Sequence, residues 1–168
     1  MNILIRNETK ADIPAISAVT EAAFRTCPYS RQTEQFIVHA LRNAGVLTVS
    51  LVAEVDEKVV GHVAFSLVTV SDGSSGWYGL GPVSVLPELQ RQGIGKALIL
   101  EGLARLKAAE ASGCMLVGDP YYYKRFGFQN FPELIHEGIP QQYFVVLPFG
   151  KTVPRGTVTF HEAFHATA

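Results

Sequence analysis

The stretch Val83-Ser84-Val85-Leu86-Pro87-Glu88-Leu89-Gln90-Arg91-Gln92-Gly93-Ile94-Gly95-Lys96-Ala97 decides how the rest of the chain reads. An apolar run leads into a turn with two glycines, and the turn opens a long helical pattern. Such a loop aims several backbone N–H groups at one point, at the positive end of a helix dipole. That is a site for an anion, and a phosphate or pyrophosphate suits it best. The glycines let a ligand approach the backbone with no Cβ in the way.

Two common phosphate loops do not fit. A P-loop needs G-x-x-x-x-G-K-[ST], but Gln90 stands at the first glycine and Ala97 follows Lys96, so the hydroxyl for magnesium is missing. A dinucleotide fingerprint needs a third glycine where this chain has Leu98. What remains is Q-x-x-G-x-G, Gln90 to Gly95. A second motif follows, Gly118-Asp119-Pro120-Tyr121-Tyr122-Tyr123-Lys124-Arg125-Phe126-Gly127-Phe128. Asp119 is a good N-cap, Pro120 a good first helical residue and Gly127 a left-handed stop. The prediction is a two-turn helix on which the three tyrosines project about 100° apart, so at most one aims at a given point.

The pair of motifs resembles the GNAT superfamily of N-acetyltransferases, and the Gly118-Asp119-Pro120 and Tyr-Tyr-x-Arg-Phe-Gly-Phe variant resembles its YhbS-like branch. The resemblance implies acetyl-CoA as co-substrate, with no metal. It implies a cofactor site made by Gln90, Arg91, Gln92, Gly93, Ile94, Gly95 and Lys96 around the pyrophosphate, and by Val83, Ser84 and Val85 along the pantetheine arm. It implies that Tyr123, four residues before Gly127, protonates the departing thiolate, with Tyr122 as the competing position. Family members often carry a glutamate on the fourth strand as general base, but Trp77–Val85 contains no acid. Glu21, Glu34 and Asp119 are candidates by residue type, and a water chain is an equal alternative.

Composition agrees with a folded enzyme domain spanning 1–168. Hydrophobic residues make up 48% and charged residues 17%, too apolar a mixture for disorder. The net charge of −1 gives no electrostatic ground for nucleic acid or an anionic membrane as partner. The start of the chain, Met1 to Arg6, lacks the apolar stretch of a signal peptide. Cys27 and Cys114 have no pairing pattern, so a reducing cytoplasm is the expected location. A homodimer is left open.

The pattern of elements is β-α-α-β-β-β-α-β-α-β-β. Asn2–Arg6 reads as a strand. Helices are predicted from Asp12 to about Phe24 and from a Ser30 cap to near Gly45. Thr48–Val55 and Val59–Val70 read as strands joined at Asp56-Glu57-Lys58, and Trp77–Val85 as a fourth, bulged by Gly79, Gly81 and Pro82. Ile94–Ala109 is the long helix and Cys114–Val117 the fifth strand. Asn130–Pro140 reads as irregular, before strands at Tyr143–Leu147 and Gly156–Phe160. The order matches the GNAT plan, an α/β (α+β) fold. That plan has a central mixed, mostly antiparallel sheet of about seven strands flanked by helices and splayed between strands 4 and 5.

His161-Glu162-Ala163-Phe164-His165 spells the zinc-protease signature H-E-x-x-H. That chemistry needs a helix to turn both histidines to one metal. Here the motif follows the strand-like Thr157–Phe160, and a strand end or tail is the expectation. The resemblance places the amine acceptor, a small molecule or peptide, between Phe24–Gln35 and Pro148–Arg155. These segments mix Phe24, Tyr29 and Phe149 with Arg25, Arg31, Lys151 and Arg155, a wall suited to an amine on an acidic or aromatic molecule. Two other functions share the motifs: a non-catalytic acetyl-CoA sensor, and an acyltransferase using a longer acyl-CoA.

Overall fold

The computed structural model describes residues 1–168. In chain order the elements are β1 (Leu4–Asn7), α1 (Ile13–Phe24), α2 (Glu34–Asn43), β2 (Leu47–Val55), β3 (Lys58–Leu67) and β4 (Thr69–Val70). Then come β5 (Trp77–Val85), α3 (Ile94–Ala108), β6 (Gly113–Val117), α4 (Pro120–Tyr123), β7 (Leu134–Ile135), β8 (Phe144–Pro148) and β9 (Gly156–Thr159). Six strands form the central sheet in the order β1-β2-β3-β5-β6-β8, and β4-β9-β7 form a separate strip. In the central sheet only the β5–β6 pair is parallel.

The helices divide between the two faces because strand side chains alternate. Val63 and Phe65 on β3 pack with Leu51, Ile94, Leu98 and Ile99 in the main core under α3. Gly102 on α3 makes room for the Phe65 ring, since a Cβ there would collide with it. The opposite face carries Val52, packed against Ile16 of α1 and Val38 of α2. It also carries a polar cluster. The fully buried His62 has Nε2 2.8 Å from Ser50 Oγ. The Ser50 hydroxyl donates to Glu8 Oε1, and Arg42 of α2 grips the same carboxylate at 2.7 and 2.9 Å. Burial outweighs the nearby Glu8 and pushes the His62 imidazole below its ordinary value. At the start of α1, Arg6 holds Asp12 with two bonds of 2.7 and 2.9 Å.

Four boundaries differ from the sequence expectation. The strand read as Val59–Val70 is two strands. Val68 donates its N–H to Trp77 O, and Thr69 and Val70 leave the central sheet to pair with β9. The last strand therefore lies outside the central sheet, which has six strands rather than about seven. Helix α2 begins at Glu34, not after Ser30, because Gln32 adopts a left-handed φ of 63° that no helix can pass through. The stretch Asn130–Pro140 contains β7, paired parallel to β9. The β2–β3 hairpin needs only two residues, Asp56 and Glu57, both left-handed as a tight hairpin turn requires. No helix is long and apolar enough to cross a membrane.

Candidate active site

The stretch from Leu86 to Lys96 forms a turn that opens α3. Beyond β5 a 3-10 turn, Pro87–Leu89, reverses the chain, and Gln90 Nε2 donates to Val85 O at 3.0 Å. Arg91 and Gly93 both take left-handed backbones, φ 64° and 90°. The first amide of α3 to find a helical carbonyl is Ala97, bonded to Gly93 O at 3.0 Å. The six amides from Arg91 to Lys96 find no acceptor within the protein. A helix start ordinarily leaves four orphan N–H groups, and the left-handed turn adds to them.

Four of these six residues, Arg91, Gly93, Gly95 and Lys96, line a cavity of 820 Å³ together with Val83, Val85 and Gln90. Three other expected residues direct their side chains elsewhere. Ser84 is buried with Oγ unpaired, on the sheet face that carries His62, its register partner. Ile94 is in the main core, and Gln92 is exposed with Nε2 near Glu88 O. Only their backbone can serve the loop. Arg91, Lys96 and Arg125 make the lining cationic, with no acidic residue in it. Arg125 is an addition to the expected set. It sits 4.4 Å over the Tyr122 ring and bonds Tyr122 O, a contact that i, i+3 spacing on the tyrosine helix could have revealed. Cys27 also lines the cavity, where it is carried by the turn after α1, and nothing in its sequence context marks it.

Asp119 caps the tyrosine helix by accepting from Tyr121 N–H at 2.9 Å, and Gly127 ends it at φ 98°. Tyr121 points to solvent. Tyr122 and Tyr123 both line the cavity, with rings 5.0 Å apart and edge-on. They differ in depth. The Tyr122 hydroxyl lies 3.8 Å from where a Cβ on Gly95 would stand, at the amide loop. Tyr123 lies against Gly118, Phe126 and Phe128. Burial, with smaller electrostatic contributions from the neighbouring Tyr122, Cys114 and Asp119, pushes its phenol up to about 12.

Between β5 and β6 the sheet opens. Their parallel pairing covers only Trp77–Gly79 against Gly113–Met115, and beyond it the strands part. Gly81 and Pro82 bulge opposite Ala64 of β3. A second cavity of 490 Å³ lies in this region. Leu80, Gly81 and Pro82 line it, whereas Val83 and Val85 line the first, and Phe24 lines both. The two cavities are therefore neighbours along β5, which passes from the wall of one to the wall of the other between Pro82 and Val83.

The second cavity draws little of its wall from the two segments expected to hold the acceptor. From Phe24–Gln35 only Phe24 and Glu34 reach it, and from Pro148–Arg155 nothing does. Phe149 lies under Lys107 instead, and Tyr29 is exposed. The remaining wall comes from His136-Glu137 and from Thr157–His161 with Phe164 and His165. Among the candidate bases, Glu34 lines this cavity while Glu21 and Asp119 line neither. The H-E-x-x-H motif forms a 3-10 turn, Glu162–His165, with His161 as its cap accepting from Ala163 N–H. No group of three or more His, Cys, Asp or Glu side chains is placed to hold a metal ion.

Comparison with known proteins agrees with this geometry. The sequence model of the Acetyltransferase (GNAT) family matches residues 16–128. The uncharacterized N-acetyltransferase YhbS of Escherichia coli K12 is 38% identical over 128 residues, covering 76% of this chain and 74% of that protein. A crystal structure of the E. coli YhbS in complex with CoA superposes with a TM-score of 0.90 at 33% identity, covering 100% of this chain and 94% of that one. A GNAT family acetyltransferase of Brucella melitensis, solved with acetyl-CoA, is 52% identical with a TM-score of 0.87, covering 97% of this chain and 98% of that one. The chain belongs to the GNAT family of acetyltransferases, close to YhbS.

Proposed function

We propose that residues 1–168 act as one N-acetyltransferase domain that passes the acetyl group of acetyl-CoA directly to a primary amine. The observation that carries this is the adjacency of the two cavities: one is lined by Arg91, Gly93, Gly95 and Lys96 of the orphan-amide loop and by two tyrosines, and the other adjoins it along the splayed strand. The amides of Arg91 to Lys96 receive the pyrophosphate, and the cations of Arg91, Lys96 and Arg125 add charge around it. Unpaired backbone of β5 near Val83 and Val85 pairs with the amides of the pantetheine arm. An N–H of the Val83 region stabilises the oxyanion that develops as the amine attacks. Tyr123, protonated at every physiological pH, donates to the departing thiolate. Glu34, or a water it orders, takes the proton from the amine. Most of the acceleration comes from holding two substrates in line.

Cys27 favours one competing chemistry, an acetyl-cysteine intermediate, because it lines the cofactor cavity. Steady-state thiol release with a panel of primary amines decides between them. Direct transfer gives double-reciprocal lines that intersect, and Cys27→Ser retains activity. Parallel lines, with loss of activity in Cys27→Ser, would replace direct transfer by the covalent route. Tight acetyl-CoA binding with no thiol release for any amine would leave a sensor.

A further inference from the structure

The two cavities are segregated by charge. The cofactor side carries three cations and no acid. The second cavity carries the carboxylates of Glu34 and Glu137 with three histidines, His136, His161 and His165, and neither lysine nor arginine. Glu34 is positioned for a ligand: it opens α2, and Ser30 Oγ donates to its Oε1 at 2.6 Å, which fixes the carboxylate. Glu137 extends from the far wall and is exposed. Between them lies an aromatic surface. Phe160 lies tilted against His136 at 5.0 Å and meets Phe164 edge-on at 5.3 Å, and Phe24 lines both cavities. At 490 Å³ the space has the size of a small-molecule site.

Resting on the reading of this cavity as the acceptor site, we propose that the acceptor is a small primary amine on an aryl or alkyl body that bears no anionic group. Glu34 and Glu137 attract the ammonium form to the cavity and repel amines that carry a carboxylate or phosphate. The aromatic wall takes the hydrocarbon body and offers its ring faces to any second cation. Amino acids, acidic peptides and phosphorylated amines are excluded by the same charges.

Matched pairs differing by one carboxylate test this: phenethylamine against phenylalanine, and cadaverine against lysine. Each is measured twice on the full chain, as kcat/KM for thiol release and as binding to the CoA-loaded protein by calorimetry. The carboxylate-free member of each pair should be favoured by about tenfold or more in binding, since a carboxylate would meet two like charges. The variants Glu34→Gln and Glu137→Gln should shrink that ratio, while affinity for acetyl-CoA stays unchanged. A ratio near one, a ratio favouring the acid, or a ratio untouched by both variants overturns the assignment, as does failure of all four compounds to bind. A binding preference that persists without any thiol release supports the assignment and sinks the transferase reading instead.

Discussion

Replacing Tyr123 by Phe isolates the proton donor. Its phenol is pushed up to about 12, whereas a free thiol lies near 8.5. Complete transfer from this phenol to a thiolate of ordinary basicity would run uphill by about 5 kcal/mol. In the proposed mechanism Tyr123 therefore contributes as a hydrogen-bond donor to the developing thiolate more than as a strong acid. A hydrogen bond to a charged group is worth about 1.5–3 kcal/mol, which is roughly 10- to 150-fold in kcat. The larger losses of about 10⁴ that general acids can give are not expected. The phenol stays protonated well above neutrality, so its loss leaves the shape of the kcat–pH profile between pH 6 and 10 unaltered. Thiol release at saturating acetyl-CoA measures kcat, and calorimetry checks that cofactor affinity is retained. Tyr122→Phe is the control, and it should act on acetyl-CoA affinity because its hydroxyl stands at the amide loop. A kcat within twofold of the wild type in Tyr123→Phe, or the larger kcat loss in Tyr122→Phe, would refute the assignment of Tyr123.

Two further predictions concern the scaffold. Gly102→Ala drives a Cβ into the Phe65 ring and should cost about 1–3 kcal/mol by overpacking; a lowering of Tm by roughly 2–4 °C per kcal/mol follows for a chain of this size, and an unchanged Tm would mean that α3 is not seated as described. Burial keeps His62 neutral in the fold with its pKa lowered, so the unfolded chain binds the extra proton first. Its stability contribution is complete above about pH 6.5 and falls as pH drops, by up to about 1.4 kcal/mol per unit. Asp12, held low by its hydrogen bonds with Arg6, adds a second loss starting below about pH 4. Denaturant titrations at several pH values should show both steps, and His62→Gln should flatten the first.

The parts of this molecule legible in the sequence are those fixed by local chemistry. The loop from Gln90 to Gly95 needs glycine at position 93, where φ is 90°, whatever surrounds it, and Asp119, Pro120 and Gly127 write the start and stop of the tyrosine helix. Trp77–Val85 is a strand to the residue, and its bulge follows from Gly81-Pro82. What was hidden depends on partners far along the chain. Val59–Val70 is one unbroken β pattern, and periodicity does not record that Thr69 changes partner to Thr159. β7 is two residues long and exists because β9 lies beside it. The wall proposed for the acceptor escaped for the same reason: His136, Phe160 and Phe164 meet through packing, so the exposed cations of Arg25, Arg31 and Arg155 stood out in the sequence while the residues lining the second cavity did not.

The central claim is that the amides of Arg91 to Lys96 form the pyrophosphate site. Calorimetric titration of acetyl-CoA into wild type, Gly95→Ala and Gly95→Glu tests it most directly. A Cβ at Gly95 meets no protein atom nearer than 3.8 Å, so the alanine variant should fold as the wild type does, and its affinity reads the effect of a Cβ alone at the loop. The glutamate sets a carboxylate against the incoming phosphates at a cost of about 4 kcal/mol for a pair of charges 4 Å apart. Affinity should then fall roughly a thousandfold. Equal binding by the well-folded glutamate variant, or no binding by the wild type, would contradict the account.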